Sequence, residues 1–297
     1  MKHKILTLIL CVFLVLILCA CTEDSTESTF EVTFIDVGQG DSALIECDGE
    51  YMLIDAGPNT QKCGEQIQQL LSEKDIYTLQ YLVISHWHED HYGGLLTDAL
   101  KNAVDFEKVL CNDKSNIPTR ALSAVANSKI IVPESGATYK LGSAKIHIVD
   151  VGAEEENDSL VLLVEYKQTR FIFTGDIEKQ AHSRVAEALR QRSNLLETGT
   201  NIIKMPHHGA FNSDQSMPDN AWDNSLNTLL TASYATYFVV SVGPNSYNHP
   251  SPKTLQLIDN VLDTHGLNRF SHLFRTDTDG NIIFSVKGTR LEVTTQK

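Results

Sequence analysis

Four side chains that commonly bind metal ions lie within six positions of the chain, in the segment HWHEDH that begins at His86. The apolar run from Tyr81 to Ile84 predicts a strand that ends just before this segment. If the backbone stays extended, His86, His88 and Asp90 share one face. A turn at Asp90 then brings His91 to the same place. Neutral imidazoles and carboxylates are ligands that zinc and manganese accept, so the spacing predicts a metal site at a strand end.

Two later segments also place potential metal ligands directly after an apolar strand. Asp176 follows the run from Phe171 to Thr174, and the pair His207-His208 follows the run from Ile202 to Met205. Taken alone, Asp176 is typical of a turn and the histidine pair of a solvated loop. Beside the first cluster, and in this order, both segments are predicted to complete a dinuclear site.

Together these residues resemble the signature of the metallo-β-lactamase superfamily, which is HxHxDH followed by a later Asp and a still later His. The matching positions are His86, His88, Asp90, His91, Asp176 and either His207 or His208. The resemblance implies an α/β fold, the four-layer αββα sandwich of two mixed sheets flanked by helices. It also implies two divalent metal ions as cofactors, zinc or manganese, because mixed histidine and carboxylate ligands suit both.

Further motifs are similar to one branch of that superfamily, which contains the extracytoplasmic hydrolase domain of ComEC-type competence proteins and related phosphorylcholine esterases. These motifs are FIDVGQGDS from Phe34, LIDAG from Leu53, NDSLVL from Asn157, FTGD from Phe173 and PHHG from Pro206. Their joint order is more specific than any one of them.

The resemblance assigns metal ligands residue by residue. The set is His86 and His88 for one ion, Asp90 and His208 with His91 for the second, and Asp176 as the bridge. One departure matters, because the third histidine usual in the superfamily is replaced by Asn157-Asp158-Ser159. One metal is therefore expected to have fewer protein ligands. His147 lies in the same interval, but the alternation of Lys145–Ile148 predicts a strand in which this histidine faces water.

Four residues are expected to take part in catalysis: Asp90, Asp176, His207 and His249. His207 is either an alternative ligand or a group that faces the phosphoryl oxygens of the substrate, and His249 is placed at the site by the resemblance alone. Asp55 is expected to brace the first cluster, and the turn at Gly40 to bring Asp41 near the metals. A simple turn accounts for these two aspartates nearly as well.

The strand and helix patterns repeat in two halves of the chain. Short β-rich runs occupy residues 31–84 and resume at Lys145. The predicted helices are Gly64–Leu71, a segment around Leu95–Ala103, Thr119–Asn127, Glu178–Arg190 and Pro252–His265. Two strand-then-helix halves predict two sheets packed face to face with helices outside.

Residues 1–20 have the layout of a secretory signal peptide, with an apolar run from Ile5 to Leu18 behind a basic start. This run is shorter than the ~20 residues that span a bilayer, although a short transmembrane anchor is an alternative. The residues before Cys21 resemble the lipobox of bacterial lipoproteins, which implies a lipid anchor at Cys21 and an extracytoplasmic position at the cell membrane. Residues 21–29 are typical of a flexible tether, which leaves 30–297 as the hydrolase domain.

The formal net charge of the chain is -14. Such a surface repels polyanions, so strong binding of duplex DNA is not expected. Metal ions supply positive charge locally, and a small or flexible phosphoester can therefore still bind at the site.

Three functions are in keeping with these observations. The first is a metal-dependent phosphodiesterase that acts outside the cytoplasm on nucleotides, single-stranded nucleic acid or envelope phosphoesters, through a water activated by two metals. The second is a hydrolase of a lactone or β-lactam, which the missing third histidine disfavours. The third is a non-catalytic, metal-binding lipoprotein linked to DNA uptake.

Overall fold

A computed structural model describes residues 29–101, 103–126, 128–152, 158–211 and 220–297. The predicted signal peptide, Cys21, all of the tether except Thr29, and Asn157 lie outside these residues. Within the described ranges, no helix has both the length and the apolar character needed to cross a membrane.

The first sheet contains eight strands among the described residues, in the spatial order β15-β14-β1-β2-β3-β4-β5-β6. The strands are β1 (Phe30–Phe34), β2 (Ser42–Cys47), β3 (Glu50–Ala56), β4 (Thr78–Ile84), β5 (Asp105–Cys111), β6 (Lys129–Ile131), β14 (Asn281–Lys287) and β15 (Arg290–Gln296). Pairing is antiparallel from β15 to β3 and parallel from β3 to β6. The sheet is therefore mixed.

The second sheet contains seven strands in the described part of the chain, in the order β13-β12-β11-β10-β9-β8-β7. The strands are β7 (Thr138–Leu141), β8 (Ala144–Asp150), β9 (Val161–Tyr166), β10 (Thr169–Phe173), β11 (Thr200–Lys204), β12 (Tyr237–Val240) and β13 (Leu273–Arg275). Strands β10 to β13 are parallel and β7 to β10 antiparallel, so this sheet is mixed as well.

Helices cover the outer faces of both sheets. They are α1 (Gln61–Glu73), α2 (Glu89–Tyr92), α3 (Thr119–Ala124), α4 (Lys179–Arg190), α5 (Ser193–Leu196), α6 (Asn220–Ser233), α7 (Pro252–Thr264), α8 (Arg269–His272) and α9 (Thr276–Asp279). Helix α1 begins at the cap residue Thr60, whose side chain accepts a hydrogen bond from the backbone N–H of Cys63. Its buried Ile67 and Leu71 lie one turn apart and pack on the first sheet.

Three apolar clusters hold the layers together. One lies between the two sheets and includes Val32, Phe34, Phe171 and Phe284, all at most 1% exposed. The other two lie between each sheet and its helices. Helix, sheet, sheet and helix thus stack in four layers, which confirms the predicted αββα sandwich.

The helix predicted around Leu95–Ala103 does not form. A short 3-10 turn spans Gly93–Leu96 and ends at the extended residue Thr97. Gly94 packs its backbone against β3 so closely that a Cβ there would lie 1.9 Å from the carbonyl oxygen of Ala56. This backbone contact with the sheet, which apolar periodicity does not reveal, explains the difference. Helix α6 was not predicted.

The strand order brings the predicted site segments to one edge of the sandwich. The carboxyl end of β4 leads to His86, that of β10 to Asp176 and that of β11 to His207. The backbone N–H of Leu160 donates to the carbonyl oxygen of Ser85 and joins the sheets there, at 2.8 Å. Side chains from both sheets therefore meet at this edge.

We predict that His182 makes the stability of the fold sensitive to acid. This fully buried imidazole links α4 to the Ile177 carbonyl oxygen at 3.0 Å and to Ser225 Oγ at 3.3 Å. Burial lowers the pKa of His182 to about 4, so the unfolded chain takes up this proton first. The neutral His182 ring therefore stabilises the folded state fully only above pH 6.5, the pKa of this group in the unfolded chain. As the pH falls below that value, the free energy of unfolding decreases, by about 2 kcal/mol at pH 5.

The measurement is urea unfolding of metal-free protein between pH 7.5 and 5, for wild type and His182→Gln. The variant is expected to be less stable at pH 7.5 but to lose less stability on acidification. Equal pH dependence in both proteins would contradict this role of His182.

Candidate metal centre

Four of the six predicted ligands come together at the sheet edge. One ligand atom from each of Asp90, His91, Asp176 and His208 lies within 4.8 Å of the others. The Oδ2 atom of Asp176 is 3.2 Å from His91 Nε2 and 3.4 Å from His208 Nε2. The same His208 nitrogen is 3.2 Å from Asp90 Oδ2. Asp176 therefore lies between His91 and His208, at the centre of this four-residue cluster.

His86 and His88 lie at the side of this four-residue cluster. The ring of His86 is 4.2 Å from that of His91 and 4.5 Å from that of His88, measured between centroids. His86 is buried, and its Nδ1 contacts Ser85 Oγ at 3.2 Å and Ser159 Oγ at 3.4 Å. These contacts leave Nε2 as the atom of His86 that is available to a metal.

The two adjacent histidines of the PHHG segment occupy different positions. His208 is buried, and its Nδ1 donates to the carbonyl oxygen of Ser241 at 2.9 Å, which directs Nε2 into the cluster. The side chain of His207 is 21% exposed, and its Nε2 is 3.9 Å from Asp176 Oδ2. Its Nδ1 faces Glu178 Oε1 at 3.1 Å. The geometry thus favours His208 as the ligand and leaves His207 at the rim.

His249 also reaches the site. Its ring centroid is 5.6 Å from that of His207 and 6.5 Å from that of His208. Burial and the neighbouring rings of His207 and His208 lower the pKa of His249 to about 4. Together His207 and His249 form the outer wall of the centre.

Asp55 holds the first cluster in place, in the bracing role expected for it. Its Oδ1 accepts from the backbone N–H of Ser85 and its Oδ2 from Ser85 Oγ, both at 2.8 Å. The same Oδ2 lies 2.9 Å from His91 Nδ1. A histidine that donates from one nitrogen to a carboxylate presents its other nitrogen to a metal in a fixed orientation. Here that nitrogen faces Asp176.

The donor atoms at the cluster fit a metal ion. His86 Nε2, His91 Nε2 and Asp176 Oδ1 are buried and have no hydrogen-bond partner among the described residues. His91 Nε2 is close to Asp176, but the contact lacks the angle of a hydrogen bond. Buried polar atoms are nearly always hydrogen-bonded, so three buried atoms without a hydrogen-bond partner on these neighbouring side chains indicate a site for a cation.

The charges agree with this interpretation. Burial would lower the pKa of the His91 ring, but the carboxylates of Asp176 and Asp55 outweigh it and hold that pKa well above its usual range. Burial would also lower the pKa of His208, but Asp176 and Asp41 hold that pKa well above its usual range. Burial would raise the pKa of Asp176, yet His91 and His208 lower it well below the usual range. Metal and protons compete for these atoms, so carboxylates that retain protons on imidazoles also favour a divalent cation.

Lys204 is a member of the centre that the sequence analysis did not identify. Its side chain is 3% exposed and forms an ion pair with Asp41. The ammonium also donates to the Gly175 carbonyl oxygen at 3.0 Å and lies 3.6 Å from Asp176 Oδ1. Burial would lower the pKa of Lys204, but Asp41 and Asp176 raise it, so the group stays charged. The one available signal was a lysine directly after the apolar pair Ile202-Ile203, close to the PHHG segment.

The segment that replaces the usual third histidine has a supporting role. Asp158 Oδ1 accepts from Arg184 at 2.7 Å, and Ser159 Oγ accepts from the backbone N–H of Asp176 at 2.9 Å. His147 is partly buried on β8, where its Nε2 lies 2.9 Å from Glu165 Oε2. It therefore faces a carboxylate on the neighbouring strand and not simply water.

Comparison with known proteins agrees with the geometry. Residues 35–232 match the family described as the metallo-beta-lactamase superfamily. The chain belongs to the metallo-β-lactamase superfamily. It is a metal-dependent hydrolase of that superfamily, and the described residues contain candidate metal-binding clusters.

Two bacterial proteins confirm the resemblance to the ComEC-type branch. ComE operon protein 3 of Bacillus subtilis is 25% identical over 290 residues, which cover 86% of this chain and 33% of that protein. Recombination protein 2 of Haemophilus influenzae is 22% identical over 227 residues, or 71% of this chain and 26% of that protein. The chain therefore spans a third or less of the length of these relatives.

Solved structures share the fold. The metallo-beta-lactamase fold protein YhfI of Bacillus subtilis aligns with a TM-score of 0.55 at 11% identity, over 86% of this chain and all of that one. The diiron beta-hydroxylase CmlA of Streptomyces venezuelae aligns with a TM-score of 0.54 at 13% identity, over 88% of this chain and 54% of that one. At these identities the likeness concerns the fold alone.

We predict that His208→Ala and His207→Ala differ in their effect on metal binding. His208→Ala removes a nitrogen from the cluster and is expected to weaken zinc binding about 10-fold or more. His207→Ala leaves the cluster intact and is expected to retain the zinc-induced rise in Tm. Zinc content and Tm with and without zinc measure both variants. A larger loss in His207→Ala would reverse the assignment.

We also predict that the buried pair of Lys204 and Asp41 is needed for stability. Lys204→Met leaves the Asp41 carboxylate buried without its ammonium partner, which is expected to cost about 3 kcal/mol or more. Lys287→Met removes an exposed pair with Glu292 and is expected to leave the free energy of unfolding nearly unchanged. Urea unfolding gives both values. The double variant Asp41→Asn/Lys204→Met should recover part of the loss, and equal costs for the two lysine variants would contradict the prediction.

Proposed function

We propose that this protein is a phosphodiesterase that acts outside the cytoplasm on nucleotides, single-stranded nucleic acid or phosphoesters of the cell envelope. The observation that carries the proposal is the composition of the centre. Asp176 lies between His91 and His208. Where the superfamily usually has a third histidine, this chain has Ser159, which accepts a hydrogen bond from the backbone of Asp176 and is not a metal ligand. Fewer protein ligands on the side of His86 and His88 leave room for phosphoryl oxygens.

Two divalent ions at this centre would supply a water of lowered pKa and positive charge for the oxyanion that forms at phosphorus. The side chains of the protein perform the remaining tasks. Asp90, Asp176 and His208 would hold one ion together, since His208 Nε2 lies within 3.4 Å of an oxygen of each carboxylate. We assign His207 and His249 to the phosphoryl oxygens and the leaving group, since their rings form the outer wall.

The charge of the chain supports a small or flexible substrate. A net charge of -14 repels a long polyanion, whereas metal ions held at the centre would supply positive charge at one point. One relative is named a recombination protein, which supports nucleic acid as one of the substrate classes. We further propose that Cys21 carries the lipid anchor that holds the enzyme at the outer face of the membrane.

We predict that Asp176→Asn lowers kcat/KM for bis(p-nitrophenyl) phosphate about 100-fold or more, because it removes the central carboxylate. Asp263→Asn, an exposed position on α7, is the matched control and should retain full activity. Both proteins are loaded with zinc or with manganese before the assay.

The same preparations are tested on a chromogenic β-lactam and a lactone. Faster turnover of either carbonyl substrate than of the phosphodiester would replace the proposal with the second hypothesis. Metal-loaded wild type that cleaves none of the substrates, with Asp176→Asn identical to it, would favour a metal-binding lipoprotein without catalytic activity.

A further inference from the structure

An exposed aromatic ring adjoins the outer wall of the metal centre. Tyr247 is 72% exposed, and its ring centroid is 5.7 Å from that of His249, with 32° between the ring planes. His249 is in turn 5.6 Å from His207. Three rings therefore form a row that leads from the rim of the centre into solvent.

The loop that carries Tyr247 is held by hydrogen bonds. Asn245 Oδ1 accepts from the backbone N–H of Tyr247 at 3.0 Å and from that of His249 at 3.1 Å. Asn245 Nδ2 donates to the carbonyl oxygens of Gly243 and His249, both at 2.9 Å. The backbone N–H of Ser251 donates to the Gly209 carbonyl oxygen at 2.9 Å, which ties the loop to the PHHG segment. Tyr247 is thus exposed at a defined position beside His249, whose ring in turn neighbours that of His208.

We infer that Tyr247 and His249 form a stacking surface for the nucleobase of a nucleotide phosphodiester whose phosphoryl group lies at the metal centre. This inference rests on the proposed phosphodiesterase function and narrows its substrate class. Aromatic side chains bind bases by stacking, with little preference among bases, because every base has a π-face. A base on this surface would keep the attached phosphate beside His207.

The shape of the surface favours a planar ring over a quaternary ammonium group. Sites for such cations surround the ligand with several aromatic faces. Here Tyr247 and His249 present a two-ring surface that is open to solvent on the side of Tyr247. A planar base would place its whole face on the exposed Tyr247 ring, whereas an ammonium group would lack the aromatic faces that surround such cations.

The test compares two esters with the same leaving group, thymidine 5'-(p-nitrophenyl phosphate) and methyl p-nitrophenyl phosphate, with metal-loaded full-length protein. Wild type is expected to prefer the thymidine ester in kcat/KM. Tyr247→Ala should reduce this preference about 10-fold, mainly through KM, and Tyr247→Phe should retain it because it keeps the ring. Tyr77→Ala is the matched control, since Tyr77 is 69% exposed and precedes β4 at the strand end opposite the centre. It should retain the preference.

Binding provides a second readout that does not depend on turnover. Calorimetry with thymidine 5'-monophosphate and with methyl phosphate should show about 10-fold weaker binding of the nucleotide to Tyr247→Ala than to wild type. An unchanged preference and unchanged nucleotide binding in Tyr247→Ala would overturn the inference. The inference would also be overturned, in favour of an ammonium site, if Tyr247→Ala lowered kcat/KM for p-nitrophenyl phosphorylcholine but not for the thymidine ester. If wild type cleaves neither ester, the proposed function fails, and nucleotide binding alone decides the stacking surface.

Discussion

The buried carboxylates at the edge of the two sheets are the constraint on which the rest of the structure depends. Asp41, Asp55 and Asp176 are each at most 5% exposed, and a buried charge is costly unless it is paired. Lys204 neutralises one of them directly, and His91 contacts two. The remaining negative charge makes this edge of the fold a place for cations.

The backbone is shaped to bring these groups together. A Cβ at Gly40 would lie 2.4 Å from the carbonyl oxygen of Asp90, and the backbone N–H of Asp41 donates to that oxygen at 3.1 Å. The turn after β1 can therefore touch the HxHxDH segment only with a glycine at this position. Ser159 performs a similar task from the second sheet by accepting from the backbone N–H of Asp176. Each sheet thus positions the ligand segment that it supplies itself, and Ser159 Oγ, which lies 3.4 Å from His86 Nδ1, joins the two segments.

Much of the fold and of the centre could be predicted because the signals are local. Apolar strands followed by His86, Asp176 or His208 mark strand ends, and parallel pairing brings such ends to one edge. The bracing role of Asp55 was also expected. The pairing of Lys204 with Asp41 could not be predicted, because it depends on which strands become neighbours in space. The 3-10 turn at Gly93–Leu96 depends on a backbone contact with β3, and apolar spacing carries no information about such contacts.

The central claim is that strand ends from both sheets form one metal centre around Asp176. Anomalous diffraction from crystals of protein loaded with zinc or manganese tests it most directly. The account predicts an ion at about 2.0–2.2 Å from an oxygen of Asp176 and from Nε2 of His208. A second ion is expected beside His86 and His88. Ions bound only to surface carboxylates, with none in contact with Asp176, would contradict the account.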